Sequence, residues 1–331
     1  MADRPTLLPD STDWPVFGWA DDVRPLLAEV LGAGRAAVLA TLFRVEGSAP
    51  RGAGTQMLFD ESRASGYFSG DCIEGDVARH AGEVLADGLP RRLHYGAGSP
   101  WIDIRLRCGG ALHILVERIA PDCPAAQALI AAAARREACL WTSDGTRRSV
   151  LPAPPDAPLL ACDEAPLRIA RRHDPARRLI VSGGDPGALA LAQLAAMAGF
   201  ETMLVRPAGP QSPPPLPGVA YLREEPAALL GRLGLDRWTA YVGATHEDHE
   251  DLRACLHALR HGAGYVGMIG ARSRAPGRRA ALAAAGASAA ELARLHFSPG
   301  IAGLGKAPWE VATGLVAEVM QALRSGDSTH P

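Results

Sequence analysis

RLIVSGGDPGALALAQLAAMAGFETMLVR, residues 178–206, is the stretch whose pattern decides the fold. Arg178 to Ser182 reads as a short strand of the buried kind, Gly183 to Gly187 as a turn, Ala188 to Ala198 as an alanine-rich helix, and Thr202 to Val205 as a second strand. Strand, turn, helix and strand in this order make a βαβ unit of the doubly wound class. Strand patterns at Thr239 to Val242 and Tyr265 to Ile269 then alternate with helical ones around Leu252 to His261 and Arg278 to Ala285, and a last helix is expected from Trp309 to Leu323. A proline-rich loop, Pro207 to Pro217, interrupts the series.

The turn Gly183-Gly184-Asp185-Pro186-Gly187 stands where a dinucleotide fold keeps its phosphate loop, but it is an altered version of that fingerprint. In the G-x-G-x-x-G frame Asp185 takes the second glycine position and Ala188 the third, and the second strand ends on Arg206 rather than on the carboxylate that holds a ribose 2′-hydroxyl. An aspartate beside a pyrophosphate repels it. The pattern therefore argues against ordinary NAD binding, while Gly183, Gly184 and Gly187 stay candidates for close backbone contact with a ligand.

The 331 residues, 47% hydrophobic and 21% charged, are enough for a sizeable core and two domains. A net charge of -2 gives no basic excess to displace counterions, which excludes a general nucleic-acid or membrane-surface role. No uninterrupted apolar run is long enough to cross a bilayer. The six cysteines form no CxxC pair and no metal-finger spacing, and the opening MADRPTLLPD has no signal-peptide pattern, so a cytoplasmic protein with reduced thiols is expected.

Ahead of the βαβ unit the chain reads as an α+β domain over residues 1–150: an amphipathic stretch from Ala20 to Leu31, strands at Ala36 to Val45 and Thr55 to Phe59, a short one at Tyr67-Phe68, a helix from Ile73 to Leu85, strands at Arg92 to Tyr95 and Ala111 to Glu117, and a helix from Ala125 to Arg136. Repeated prolines over 151–177 predict a linker without regular structure, and 178–331 is the doubly wound domain.

Two cysteines sit on glycine-dense turns: Cys72 in SGDCIEGD (Ser69 to Asp76), and Cys108 before Gly109-Gly110. Glycine lets backbone N–H groups approach a ligand, and the positive end of the helix that follows would ease ionisation of the Cys72 thiol. The plain alternative is that both are small buried apolar residues. Arg51, in the loop Gly47-Ser48-Ala49-Pro50-Arg51-Gly52-Ala53-Gly54, and Arg272, after Gly270, are either phosphate-holding groups or solvated charges. In Thr245 to Asp251 (THEDHED), Thr245 with Asp248 resembles a capping box, a structural reading preferred to a zinc site; His246 is left as a residue facing the crevice. His113 reads as structural.

Seven blocks, in order, resemble the XdhC/CoxI family of molybdoenzyme accessory proteins: GSAPRGAG from Gly47, SGDCIEGD from Ser69, RCGGALHILVE from Arg107, the Rossmann-like start at Leu179, ATHEDHED from Ala244, YVGMIGARSR from Tyr265 and APWEVATGLVAEV from Ala307. The resemblance implies an α/β protein with an XdhC/CoxI-type α+β domain followed by a Rossmann-like one. It implies binding of molybdenum cofactor (molybdopterin, a pyranopterin dithiolene with a terminal phosphate), protection of it while a cysteine desulfurase exchanges a terminal oxygen for sulfur, and transfer to a xanthine dehydrogenase-type molybdoenzyme, by a chaperone without turnover of its own. The residues that would then serve the cofactor are Gly47, Ser48, Arg51, Gly70, Cys72, Glu74, Cys108, Gly109, Gly110, Gly183, Gly184, Gly187, His246, Gly270 and Arg272, with Cys72 and Cys108 as molybdenum or sulfur ligands and Glu74 accepting from pterin N–H groups. The sequence departs from the family at Asp71, Asp185, Arg206 and Ala271. A homodimer is a further expectation, and an NAD(P)-dependent oxidoreductase is the competing function.

Overall fold

A computed structural model describes residues 21–70, 72–99, 106, 109–245 and 247–324. Cys108 and His246 lie outside the described residues. The chain divides into two compact units between Pro175 and Ala176.

The first unit runs α1 (Arg24–Gly32), β1 (Ala37–Glu46), β2 (Gln56–Phe59), β3 (Ala64–Ser65), α2 (Glu74–Asp87), β4 (Arg91–Tyr95), β5 (Ala111–Ile119), α3 (Pro124–Ala134), β6 (Cys139–Ser143), β7 (Arg148–Pro152), β8 (Leu160–Glu164) and β9 (Leu167–His173). An antiparallel sheet has the order β3-β2-β1-β5-β4. Alternation along its strands sends Val38, Ala40, Leu42, Ile114 and Val116 to one face, where Val77, Ala78, Ala81 and Val84 of α2 cover them. Leu39, Leu58 and Ile119 face the other way, against α1, α3 and Trp141 of β6.

Two expectations need correction. Ala64–Ser65, not Tyr67-Phe68, forms the edge strand, and Phe68 is buried in the core under α2, so its aromatic bulk signals packing rather than pairing. The segment 151–177 is not a linker: β8 and β9 lie within it and form, with β6 and β7, a second antiparallel sheet of order β7-β6-β9-β8. The prolines fall at the end of edge strand β7 and in the turns, where no ladder N–H is needed. Buried Arg172 donates to the carbonyls of Pro155 and Ala157, both at 2.9 Å, and to Asp174 at 2.7 Å, which orders the proline-rich loop.

The second unit runs β10 (Arg178–Gly183), α4 (Pro186–Met197), β11 (Glu201–Val205), β12 (Val219–Leu222), α5 (Pro226–Leu233), β13 (Thr239–Ala244), α6 (Asp248–Arg260), β14 (Tyr265–Met268), α7 (Ala275–Ala284), α8 (Ala289–Ala293), β15 (Leu295–Phe297) and α9 (Pro308–Ala322). All its strands pair in parallel, in the order β12-β11-β10-β13-β14-β15. This is the dinucleotide-fold order, with its switch point between β10 and β13. Both faces are buried, as the continuous apolar strands require: α4 and α9 cover Leu179, Val181 and Val242, while α5 to α8 cover Ile180, Tyr241 and Val266. The expected βαβ unit is therefore present; β12, α5, α8 and β15 add to it. Among the described residues, no helix is long and apolar enough to cross a membrane.

Candidate functional site

In the first unit the strand register brings the sequence-predicted glycine loops to one end of the five-stranded sheet. Glu46, the last residue of β1, is opposite Ala111, the first of β5, and Tyr95, the last of β4, is opposite Leu112. The chain therefore leaves the sheet at Gly47 and Gly96 and re-enters it from Gly110 at the same edge. Gly110 is buried where a Cβ would come within 2.7 Å of the Glu46 carbonyl oxygen and closer still to that of Ser48, so only glycine lets these loops touch. Tyr95 donates to Asp76 at 2.7 Å, which fixes the first turn of α2 at that edge.

Glu74, the first residue of α2, organises the cysteine loop. It is fully buried, and its carboxylate accepts from the backbone N–H groups of Phe68 (2.9 Å), Ser69 (2.6 Å) and Gly70 (3.1 Å) and from the Ser69 hydroxyl (2.7 Å). The Ser69 oxygen in turn accepts from the backbone N–H of Cys72 at 3.0 Å. Burial alone would raise the Glu74 carboxyl, but the hydrogen bonds from Ser69 and Phe68 outweigh it and hold it below the ordinary glutamate range. The donors expected for a ligand are therefore taken up by the protein's own carboxylate, and Glu74 is a positioning residue rather than an acceptor for pterin N–H groups.

Arg51 also differs from expectation. Its guanidinium pairs with Asp21, donates to Tyr67 Oη at 3.3 Å and lies 4.8 Å from the centre of the Tyr67 ring. It is a clamp between the Gly47–Gly54 loop and the segment entering the cysteine loop, not an uncommitted phosphate receptor. What faces outward is backbone: Gly47, Ser48, Gly70 and Gly109 are exposed, and Cys72 is half-buried against the edge of the core. His113, expected as structural, pairs with Glu46 at 2.9 Å and stacks on His94.

In the second unit Gly183 pairs with Ala244 across the sheet, and the N–H of Ile269, just before Gly270, donates to the Gly243 carbonyl at 2.9 Å, so the glycine turns meet at the carboxyl edge of the strands. Asp185 caps α4 by accepting the Ala188 N–H at 2.7 Å, Pro186 supplies no N–H, and Gly187 lies beside the Asp185 carboxylate. Arg206 lies over Gly184, within 2.7 Å of where a Cβ would stand. Arg272 is exposed, whereas Arg274 and Arg278 both bind Asp248. Asp248 thus belongs to an ion-pair cluster, and the expected Thr245 and Asp248 capping box does not form.

Asp251 is the partner of Thr245 instead, accepting from its hydroxyl at 3.0 Å and from its backbone N–H at 3.3 Å. Sequence reasoning missed it, although a signal was available: it falls on the stripe of α6 that buries Ala254, Cys255 and Ala258. Burial pushes its carboxyl up to about 6.

Two variants test these carboxylates. Glu74→Gln is expected to lose about 2 kcal/mol in urea unfolding at pH 7, the order of one charge-assisted bond to a buried acceptor. Because the Glu74 pKa is lowered on folding, that loss is full above the ordinary glutamate range and fades as the pH falls below it; equal stability at pH 7 contradicts the assignment. Asp251 has the opposite sign. Its pKa rises from 3.8 to about 6, so the wild type loses stability as the pH climbs through that window. Asp251→Asn should gain on the wild type by up to about 3 kcal/mol between pH 4 and pH 7, at about 1.4 kcal/mol per pKa unit. A wild-type to variant difference that does not change with pH contradicts it.

Comparison with known proteins agrees with this two-unit fold. The model of the XdhC and CoxI family matches residues 30–96, and that of the XdhC Rossmann domain matches residues 179–319. The molybdenum cofactor insertion chaperone PaoD of Escherichia coli (strain K12) is 34% identical over 194 residues, covering 55% of this chain and 57% of that protein, so the match spans little more than half of the relative's length. A probable xanthine dehydrogenase subunit of Bacillus subtilis (strain 168) is 28% identical over 318 residues, covering 86% of this chain and 92% of the relative. The crystal structure of a xanthine dehydrogenase from Bacillus halodurans shares the fold at a TM-score of 0.70 and 23% identity, covering 93% of this chain and 98% of that one. With both family models matched in their expected order on the two units, the chain belongs to the XdhC and CoxI family.

Proposed function

We propose that this protein is a molybdenum cofactor chaperone: it holds the pterin cofactor, shelters it while a cysteine desulfurase sulfurates it, and delivers it to a xanthine dehydrogenase-type molybdoenzyme. Family membership and the relative named as a molybdenum cofactor insertion chaperone support the class of function. The observation that carries the reading to particular residues is the half-buried Cys72, held by the Glu74 network at a sheet end where Gly47, Gly70 and Gly109 are exposed.

The residues present fit such a ligand. A Cβ placed on Gly70 or on Gly109 would have no neighbour within 4 Å, so a bulky planar group can reach the main chain there. A thiol is the soft donor that molybdenum or a transferable sulfur calls for. Cys72 would supply it, and Cys108, next to Gly109 in sequence, is assigned as the second thiol. Bound cofactor would bring the metal centre that the client enzyme uses. The chain's own part is to fix the Cys72 main chain through Ser69, to leave Gly47, Ser48, Gly70 and Gly109 exposed at one end of the sheet, and to hold these loops in register through Gly110. An oxidoreductase using NAD(P) is the weaker reading, since Asp185 and Pro186 occupy the helix start where a pyrophosphate takes its N–H donors.

The test is cofactor retention. Purified full-length protein, loaded anaerobically with molybdenum cofactor and passed through gel filtration, is expected to carry it and to activate cofactor-free client enzyme on mixing. Cys72→Ala or Cys108→Ala should lose most of the bound cofactor. Absence of retention in the wild type, or undiminished retention in both variants, contradicts the proposal.

A further inference from the structure

The geometry points to a separate binding site in the second unit, for a phosphomonoester carried on a flat heterocycle. A cavity of about 300 Å³ opens at the carboxyl edge of β10 and β11, between the Gly184 turn and the proline-rich loop that follows Arg206. Its volume is at the small end of the range for small-molecule sites, the size of one ring system with its substituent rather than of a dinucleotide. Leu189, Leu204, Pro213 and Pro214 give it apolar walls. The Tyr221 ring closes one side, and its hydroxyl donates to the Pro210 carbonyl at 2.9 Å, which pins the proline loop in place as a wall.

Among the described residues Arg206 is the only charged one in the lining; it is exposed, and its side chain has no hydrogen-bond or ion-pair partner among them. This differs from Arg51, Arg274 and Arg278, each of which is paired to an aspartate. A guanidinium at the end of the second strand of a dinucleotide-type fold occupies the position from which a ribose phosphate is held, in place of the acid that would hold a free hydroxyl. Among the described residues no carboxylate lines the cavity to oppose an anion. The adjoining start of α4, in contrast, is closed to a phosphate bridge: Asp185 is its cap and Pro186 its first residue. The ligand class that satisfies both constraints is a flat ring whose phosphate is a monoester reaching Arg206, with no pyrophosphate at α4. A nucleoside monophosphate and a phosphorylated pterin share this chemistry.

This site goes beyond the chaperone reading and depends on neither cysteine. The test is calorimetric titration of the full-length protein with four probes: adenosine 2′-monophosphate, a pterin monophosphate, adenosine and inorganic phosphate. At least one of the two phosphorylated heterocycles is expected to bind about tenfold more tightly than adenosine or inorganic phosphate, the order set by one charge-assisted contact. Tighter binding of the adenosine nucleotide identifies a nucleotide as the natural source, and tighter binding of the pterin identifies the pterin cofactor. Arg206→Gln should remove that tenfold advantage, and Cys72→Ala should leave it intact. The inference is overturned if neither phosphorylated probe binds, if adenosine or inorganic phosphate binds as well as the tighter of them, or if Arg206→Gln binds like the wild type.

Discussion

The buried carboxylate of Glu74, gathering the N–H groups of Phe68, Ser69 and Gly70, is the contact on which the first unit's candidate site depends. A loop with this much glycine has many conformations open to it, and fixing each residue costs about 1–2 kcal/mol of backbone entropy. One anion placed at the head of α2 offsets that by accepting from three successive backbone donors, of which that of Phe68 would otherwise be buried without a partner. The same network sets the main chain of Cys72 through the Ser69 oxygen. Loop order, helix start and thiol placement are thus one arrangement. The sheet supplies the frame, because Gly110 can pass directly behind Ser48 and Tyr95 can reach Asp76.

In the second unit the dinucleotide fold keeps its topology while its chemistry has shifted. Gly183 still packs tightly against Ala244, as the first glycine of such a turn must. Beyond it, Asp185 and Pro186 turn the start of α4 from an anion site into an ordinary capped helix, and Arg206 brings positive charge where an acid is usual. The ion pairs of Asp248 with Arg274 and Arg278 gather the charges of the neighbouring turns into a fixed cluster. Beside Gly184, among the described residues, a small apolar cleft is lined by the unpaired Arg206.

How much of this could be read from residues alone follows from what kind of contact each feature depends on. Continuous apolar runs such as Leu179 to Val181 and Tyr241-Val242, and the alternation in Ala111 to Glu117, report burial directly, so these strands were legible. The sheet over 139–173 was not, because its prolines look like breaks until edge position and the carbonyl bonds of Arg172 are known. The glycine and cysteine turns were found as candidates, since glycine at a close approach leaves a compositional mark. The partners of Glu74, Arg51 and Asp248 were not, because a charged residue carries no sign in sequence of whether it meets a ligand or its own chain. Arg51 finds Asp21 and Tyr67, and Asp248 finds two arginines 26 and 30 residues on.

The most direct measurement of the central claim is amide hydrogen exchange across residues 68–73 of the full-length protein, compared with the first turn of α2. If the Glu74 carboxylate holds the cysteine loop as described, the amides of Phe68, Ser69 and Gly70 exchange as slowly as those of the helix, although none lies in regular secondary structure. Exchange at the rate of a solvated loop would contradict the account.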